Sequence, residues 1–227
     1  MTTLLLLRHG RSSANASGIL AGDLPVELDD TGRQQAAGVA VRLAGLPLSV
    51  ALTSPLLRCR QTVELALPGV EAQVEPRLTE CGYGEWSGRE LKALGAEPLW
   101  SIVQQHPSAV TFPGGEAMAA MAARAVTAVR EWDQRVHDEH GPDAIWMACS
   151  HGDVIKAIVA DALGLHLDLF QRISAEPASI TVIRYTAHRP FVVHLNDTGG
   201  DLTTLITKQR PAAEETNEGD AAIGGGA

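Results

Sequence analysis

Two histidines and two arginines stand in polar clusters that each follow a short apolar run. Arg8-His9-Gly10 follows Thr3 to Leu7, Ser54 to Arg58 follows Ser49 to Thr53, and Ser150-His151-Gly152 follows Ala144 to Cys149. Brought to one pocket, these side chains make an anion site. Arginine offers planar forks matched to phosphate oxygens, through bonds roughly twice as strong as neutral ones. An attacking histidine must be neutral, and cationic neighbours favour that form. A backbone carbonyl holding one ring nitrogen would leave the other to face phosphorus. Phosphoryl transfer then needs in-line positioning and charge stabilisation on the equatorial oxygens. His151, the arginines and helix N-termini following Ser54 and Gly152 suit that task.

A poor leaving group also needs a proton. Arg77 to Gly88 is a Gly-rich segment that carries Glu80 and Glu85. Folded over the pocket, such a loop would raise a carboxyl pKa toward that of a usable general acid. Residue types alone do not choose between the two glutamates.

The elements that must position these residues are partly legible. Thr3 to Leu7 reads as a buried strand and residues 11–30, with little periodicity, as loop. Thr31-Gly32-Arg33-Gln34 has capping-box spacing and predicts a helix from about Thr31 to Ala44. Ser49 to Thr53 reads as a second strand. Ser54-Pro55 then predicts an N-cap and a proline at the first helical position, with the helix running to about Leu67. Residues 70–113 read as irregular, with a short strand near Val74 and small helices around Leu91 and Trp100. Tyr83, Trp86, Trp100 and Phe112 in this stretch suggest apolar contacts with a leaving group.

The stripe Met118, Met121, Ala125, Val129, Trp132 and Val136 predicts an amphipathic helix, capped by Glu116 and stopped at Gly141-Pro142. Ala144 to Cys149 reads as a strand, and the next helix should end at Gly164. Ile180 to Tyr185 and Phe191 to Leu195 read as a closing pair of strands. In open α/β sheets ligands bind outside the carboxyl ends of the strands. If the three polar-tipped strands are neighbours, Arg8, His9, Arg58 and His151 converge.

Bulk properties set the frame. A chain of 227 residues, 45% hydrophobic, with alternating helical and strand-like segments, indicates one compact α/β domain. The net charge of -9 disfavours nucleic acid and anionic membrane as partners, so an anionic substrate must be drawn in by a local cationic cluster. Cys59, Cys81 and Cys149 form neither a disulfide framework nor a zinc pattern, and no metal site is expected. The apolar run at Leu4 to Leu7 is too short for a signal peptide or a membrane span, which makes the cytoplasm the expected location. Residues 1–207 read as the catalytic domain and 208–227 as a disordered acidic tail. Oligomeric state is not legible.

The ordered motifs resemble the histidine phosphatase superfamily, in its phosphoglycerate mutase-like branch. Leu7-Arg8-His9-Gly10 continuing to Asn15 is similar to its RHG-x4-N signature. Ser54-Pro55-Leu56-Leu57-Arg58 with Thr62 resembles its SPLxRAxxT box, with Cys59 in place of the usual alanine. Leu78 to Gly88, Phe112-Pro113-Gly114-Gly115-Glu116 and Ser150-His151-Gly152 complete the order. The resemblance implies a three-layer α/β/α sandwich with a mainly parallel central sheet, no metal and no cofactor. It implies that His9 is phosphorylated, that Arg8, Arg58 and His151 hold the phosphoryl group, and that Asn15 and the Gly152 backbone make secondary contacts. It selects Glu80 over Glu85 as acid, then base.

The expected activity is hydrolysis of a small phosphomonoester. A phosphoglycerate mutase-type isomerase is the alternative. A mutase must hold a bisphosphate while it reorients, yet residues 81–115 supply only Arg89 and Lys92 as lysine or arginine.

Overall fold

The computed structural model describes residues 2–199; the tail at 208–227 and the last residues before it lie outside the described residues. In chain order the elements are β1 (Thr2–Arg8), α1 (Ser13–Ala16), α2 (Asp30–Leu43), β2 (Leu48–Thr53), α3 (Leu57–Ala66) and β3 (Gln73–Val74). Then come α4 (Leu91–Leu94), α5 (Pro98–Gln105), α6 (Met118–His140), β4 (Ile145–Ser150), α7 (Gly152–Leu163), β5 (Ile180–Tyr185) and β6 (Pro190–Asp197).

The strands form one sheet in the order β3-β2-β4-β1-β5-β6. The first four run parallel, and β5 and β6 close the sheet antiparallel. Helices cover both faces, which gives the expected three layers. On β1, Leu4 and Leu6 enter the core beneath α6 and α7, while Leu5 and Leu7 enter the core beneath α2 and α3. β4 splits likewise, with Trp146 and Ala148 on one face and Met147 and Cys149 on the other. A strand buried on both faces reads as a continuous apolar run, which is why both were visible in the sequence.

The chain skips from β1 to β2 and later inserts β4 between them. That register sets Arg8 opposite Ser150 and Thr53 opposite Cys149, so three strands end together. The His9 N–H donates to Ser150 O (3.0 Å) and the Ser54 N–H to Cys149 O (2.9 Å), extending the pairing into the polar clusters.

Four local expectations are corrected. Residues 11–30 contain a helical turn, α1, which Ser12 and Asn15 close as a capping box. α2 starts one residue early, because Asp29, not Thr31, caps it through the Gly32 N–H. α3 starts after Leu56, two residues beyond Ser54; the Ser54 hydroxyl lies 2.8 Å from a histidine ring and accepts only a longer bond, 3.4 Å, from the Leu56 N–H. α6 begins after Ala117 without a side-chain cap, because the Glu116 carboxylate serves Gly82 and Arg124.

Candidate active site

Arg8, His9, Arg58, Glu80 and His151 are all buried, each at most 3% exposed. The two imidazoles meet edge to face, with ring centroids 5.2 Å apart and planes at 60°. The convergence expected from the three strand ends is present.

The His9 tautomer follows from its two contacts. Nδ1 lies 2.8 Å from Gly10 O, a pure acceptor, so Nδ1 carries the proton. Nε2 accepts from Arg58 Nε at 3.3 Å, which requires a lone pair there. One neutral form satisfies both, and it presents an unprotonated nitrogen beside a guanidinium. Burial lowers the His9 pKa well below the usual imidazole value, and Arg58 and Arg8 lower it further; the Gly10 carbonyl opposes them. His151 is depressed in the same direction by burial, then by Arg58, His9 and Arg8. Its Nε2 is 2.8 Å from Ser54 Oγ and 3.5 Å from Cys59 Sγ.

Arg58 is held from behind. Its Nη2 donates to Gly22 O (2.7 Å) and its Nη1 to Leu24 O (3.3 Å), which fixes the fork while Nε points at His9. Thr62 links the two clusters: its hydroxyl donates to Arg58 O (2.7 Å) and accepts from the Gly10 N–H (3.0 Å). Arg8 donates through Nη1 to Ala175 O and lies within electrostatic reach of Glu80, Asp153 and Arg58.

Glu80 and Glu85 separate cleanly. Glu85 is exposed, whereas Glu80 is 3% exposed, with Oε1 accepting from the Cys81 N–H at 3.0 Å. Burial and then the Asp153 carboxylate raise Glu80 to about 7, against Arg58, the Cys81 N–H and Arg8. A carboxyl in that range holds a proton near neutrality and can release it.

The loop carrying Glu80 crosses the 113–115 segment closely. A Cβ on Gly84 would sit 2.2 Å from Pro113 O, and one on Gly115 2.2 Å from Gly82 O. Gly84 also has φ +54°, so this crossing needs both glycines. Tyr83, Trp86 and Phe112 form a buried aromatic cluster beside this crossing. They pack on one another at 2% exposure or less, forming the core of the cover; Trp100, stacked on Trp86, is half-buried.

Asn15 uses Oδ1 to accept from the Ser12 N–H and hydroxyl, at 3.0 and 2.8 Å, at the mouth of α1. Gly152 opens α7, whose first N–H groups face the strand ends. Arg60 is exposed.

Three contributors escaped the sequence reading. Ser54, expected as a helix cap, lies 2.8 Å from His151 Nε2. Asp153 is fully buried and accepts from the Tyr83 hydroxyl at 2.7 Å, although its position after His151-Gly152 was a signal of proximity. Arg124 reaches the acid loop from α6, eight residues beyond Glu116.

The family model for the histidine phosphatase superfamily (branch 1) matches residues 4–198. The chain belongs to that superfamily. Phosphoserine phosphatase 1 of Hydrogenobacter thermophilus is 30% identical over 87% of this chain and 93% of its own length. A 2,3-bisphosphoglycerate-dependent phosphoglycerate mutase of Brucella melitensis biotype 2 is 29% identical over 72% and 82%. A mycobacterial glucosyl-3-phosphoglycerate phosphatase in complex with VO3 has a similar structure, with TM-score 0.78 and 27% identity over 86% of this chain and 98% of that one. This histidine phosphatase is a hydrolase that cleaves phosphomonoesters. The phosphatase reading fits it better than the mutase reading, given the sparse basic side chains between residues 81 and 115. Among the described residues no helix is long and apolar enough to cross a membrane.

Proposed function

We propose that this chain hydrolyses a small phosphomonoester in two steps, through phosphate carried on Nε2 of His9. In the first step Nε2 attacks phosphorus, the bond to the leaving oxygen breaks, and the Glu80 carboxyl gives that oxygen its proton. In the second, the Glu80 carboxylate takes a proton from a water that attacks phosphorus. The P–N bond then breaks, releasing inorganic phosphate and restoring the starting state. Arg8, Arg58 and His151 bear the charge on the equatorial oxygens, with Asn15 and the Gly152 N–H as secondary contacts.

The observation that carries this reading is the His9 tautomer, with its proton fixed on Nδ1 by Gly10 O and a lone pair on Nε2 beside Arg58. Glu80, raised to about 7, supports the paired acid and base roles. Three free buried cysteines agree with a reducing, cytoplasmic setting. The substrate class is a small phosphorylated molecule, since phosphoserine and glucosyl-3-phosphoglycerate phosphatases are among the relatives.

The test is phosphate release across a panel of phosphomonoesters, with 3-phosphoglycerate isomerisation measured beside it. Turnover that exceeds isomerisation and disappears in His9→Ala is expected. Full activity in His9→Ala would end the proposal, and isomerisation outpacing phosphate release would favour a mutase.

A further inference from the structure

Arg124 reaches the acid loop from the second turn of α6, and every N–H of its guanidinium is taken. Nε donates to Glu116 Oε1 (2.7 Å) and Nη2 to Glu116 Oε2 (2.8 Å), a bidentate pair. Nη1 donates to Arg77 O (2.6 Å) and Thr79 O (2.7 Å), and Nη2 also to Glu80 O (3.1 Å). Five N–H groups are all that arginine has. This side chain therefore has no donor left for a substrate. Its whole capacity goes to one carboxylate and three carbonyls of the loop that carries Glu80.

Glu116 completes the grip. Its carboxylate accepts from the Gly82 N–H (3.3 Å), and its own N–H donates to Gly82 O (2.6 Å). The backbone is thus pinned on both sides of Glu80, at residues 77, 79 and 80 by Arg124 and at 82 by Glu116. Other ties, such as Ser150 Oγ to Leu78 O (2.7 Å), the Tyr83 hydroxyl to Asp153 and the Glu85 N–H to Pro113 O (2.9 Å), do not touch the Glu80 peptide itself.

We infer that Arg124, oriented by Glu116, is the positioning residue that holds the Glu80 carboxyl at the leaving oxygen. It governs proton delivery without touching substrate. This inference rests on Glu80 being the general acid. Residues 79–83, between two short 3-10 turns, have no ladder of their own to fix a side chain, and a misplacement near 1 Å costs roughly 100-fold in rate. Lysine keeps the charge but has one compact ammonium with three donors, so it cannot span a carboxylate and three carbonyls.

The experiment compares an alkyl phosphate, whose leaving oxygen needs a proton, with p-nitrophenyl phosphate, whose leaving group departs as a stable anion. In Arg124→Lys, kcat/KM for the alkyl substrate should fall roughly 10- to 100-fold while that for p-nitrophenyl phosphate stays nearly unchanged. A purely structural role would lower both equally and reduce Tm. Equal losses, or none, overturn the inference. Should Arg124→Lys not fold, Glu116→Gln loosens the same grip and should show the same selectivity to a smaller degree; losing it there overturns the inference too. Glu80→Gln is the reference. If it is selective and the Arg124 and Glu116 variants are not, only this inference fails. If Glu80→Gln is not selective, the acid role fails and takes the inference with it.

Discussion

Replacing Glu80 by glutamine should make the protein more stable at alkaline pH while removing its proton donor. An ordinary glutamate titrates near 4.5, and burial followed by Asp153 raises this one to about 7. The folded state therefore keeps a proton that the unfolded chain gives up between those values. Stability drawn from the protonated carboxyl is fully present below about 4.5, falls as pH rises toward 7, and is lost above it. At about 1.4 kcal/mol per tenfold step, the loss in the wild type is about 3 kcal/mol. Glutamine is neutral throughout, has the same shape, and keeps an oxygen for the Cys81 N–H. His9 and His151 run the other way: their lowered pKa values mean stability present above about 6.5 and lost as pH falls. They are common to both proteins and cancel in the comparison. Urea denaturation of wild type and Glu80→Gln at pH 5 and pH 8 measures the effect. The advantage of the variant should be larger at pH 8 than at pH 5 by about 2 to 3 kcal/mol. An advantage independent of pH would show that Glu80 is not protonated by its burial, and the account of its acid role would fail.

Other perturbations have signed outcomes. Arg58→Lys removes the planar donor at His9 Nε2 and the grip of Gly22 O and Leu24 O, so kcat/KM should fall by roughly 100-fold or more in steady-state assays. Asp153→Asn removes the charge that helps raise Glu80; the alkaline limb of the kcat/KM profile for an alkyl phosphate should move to lower pH, and an unmoved limb would contradict this. Cys59→Ala should leave turnover nearly intact, because Ser54 Oγ holds His151 Nε2 at 2.8 Å while Cys59 Sγ stands 3.5 Å away; a large loss would assign the thiol a role at the ring.

The sequence made the strand ends legible because β1, β2 and β4 announce themselves as apolar runs broken by polar clusters. Their register brings the segments that carry Arg8, His9 and His151 together, while Arg58 arrives on α3 and is held by the Gly22 and Leu24 carbonyls of an irregular segment. Ser54-Pro55 marks the approach to α3 but not its start, because that signal is local, while the Ser54 hydroxyl meets a histidine 97 positions away and keeps only a 3.4 Å bond from the Leu56 N–H. Composition shows the aromatic residues of 81–113 but not their packing, in which Tyr83, Trp86 and Phe112 meet one another beside the close crossing at Gly84 and Gly115. Arg124 left almost no trace, since carbonyls 44 to 47 residues away are chemically alike at every position and only the folded loop selects three of them.

The central claim is that His9 Nε2 carries the phosphate. Rapid mixing of enzyme with a phosphomonoester, quenching at alkaline pH where phosphohistidine survives, and peptide mass spectrometry would find it directly. A phosphoryl group on His9, formed and consumed within the turnover time, is the predicted result. Turnover with no phosphate on His9, or with phosphate on another residue, would contradict it.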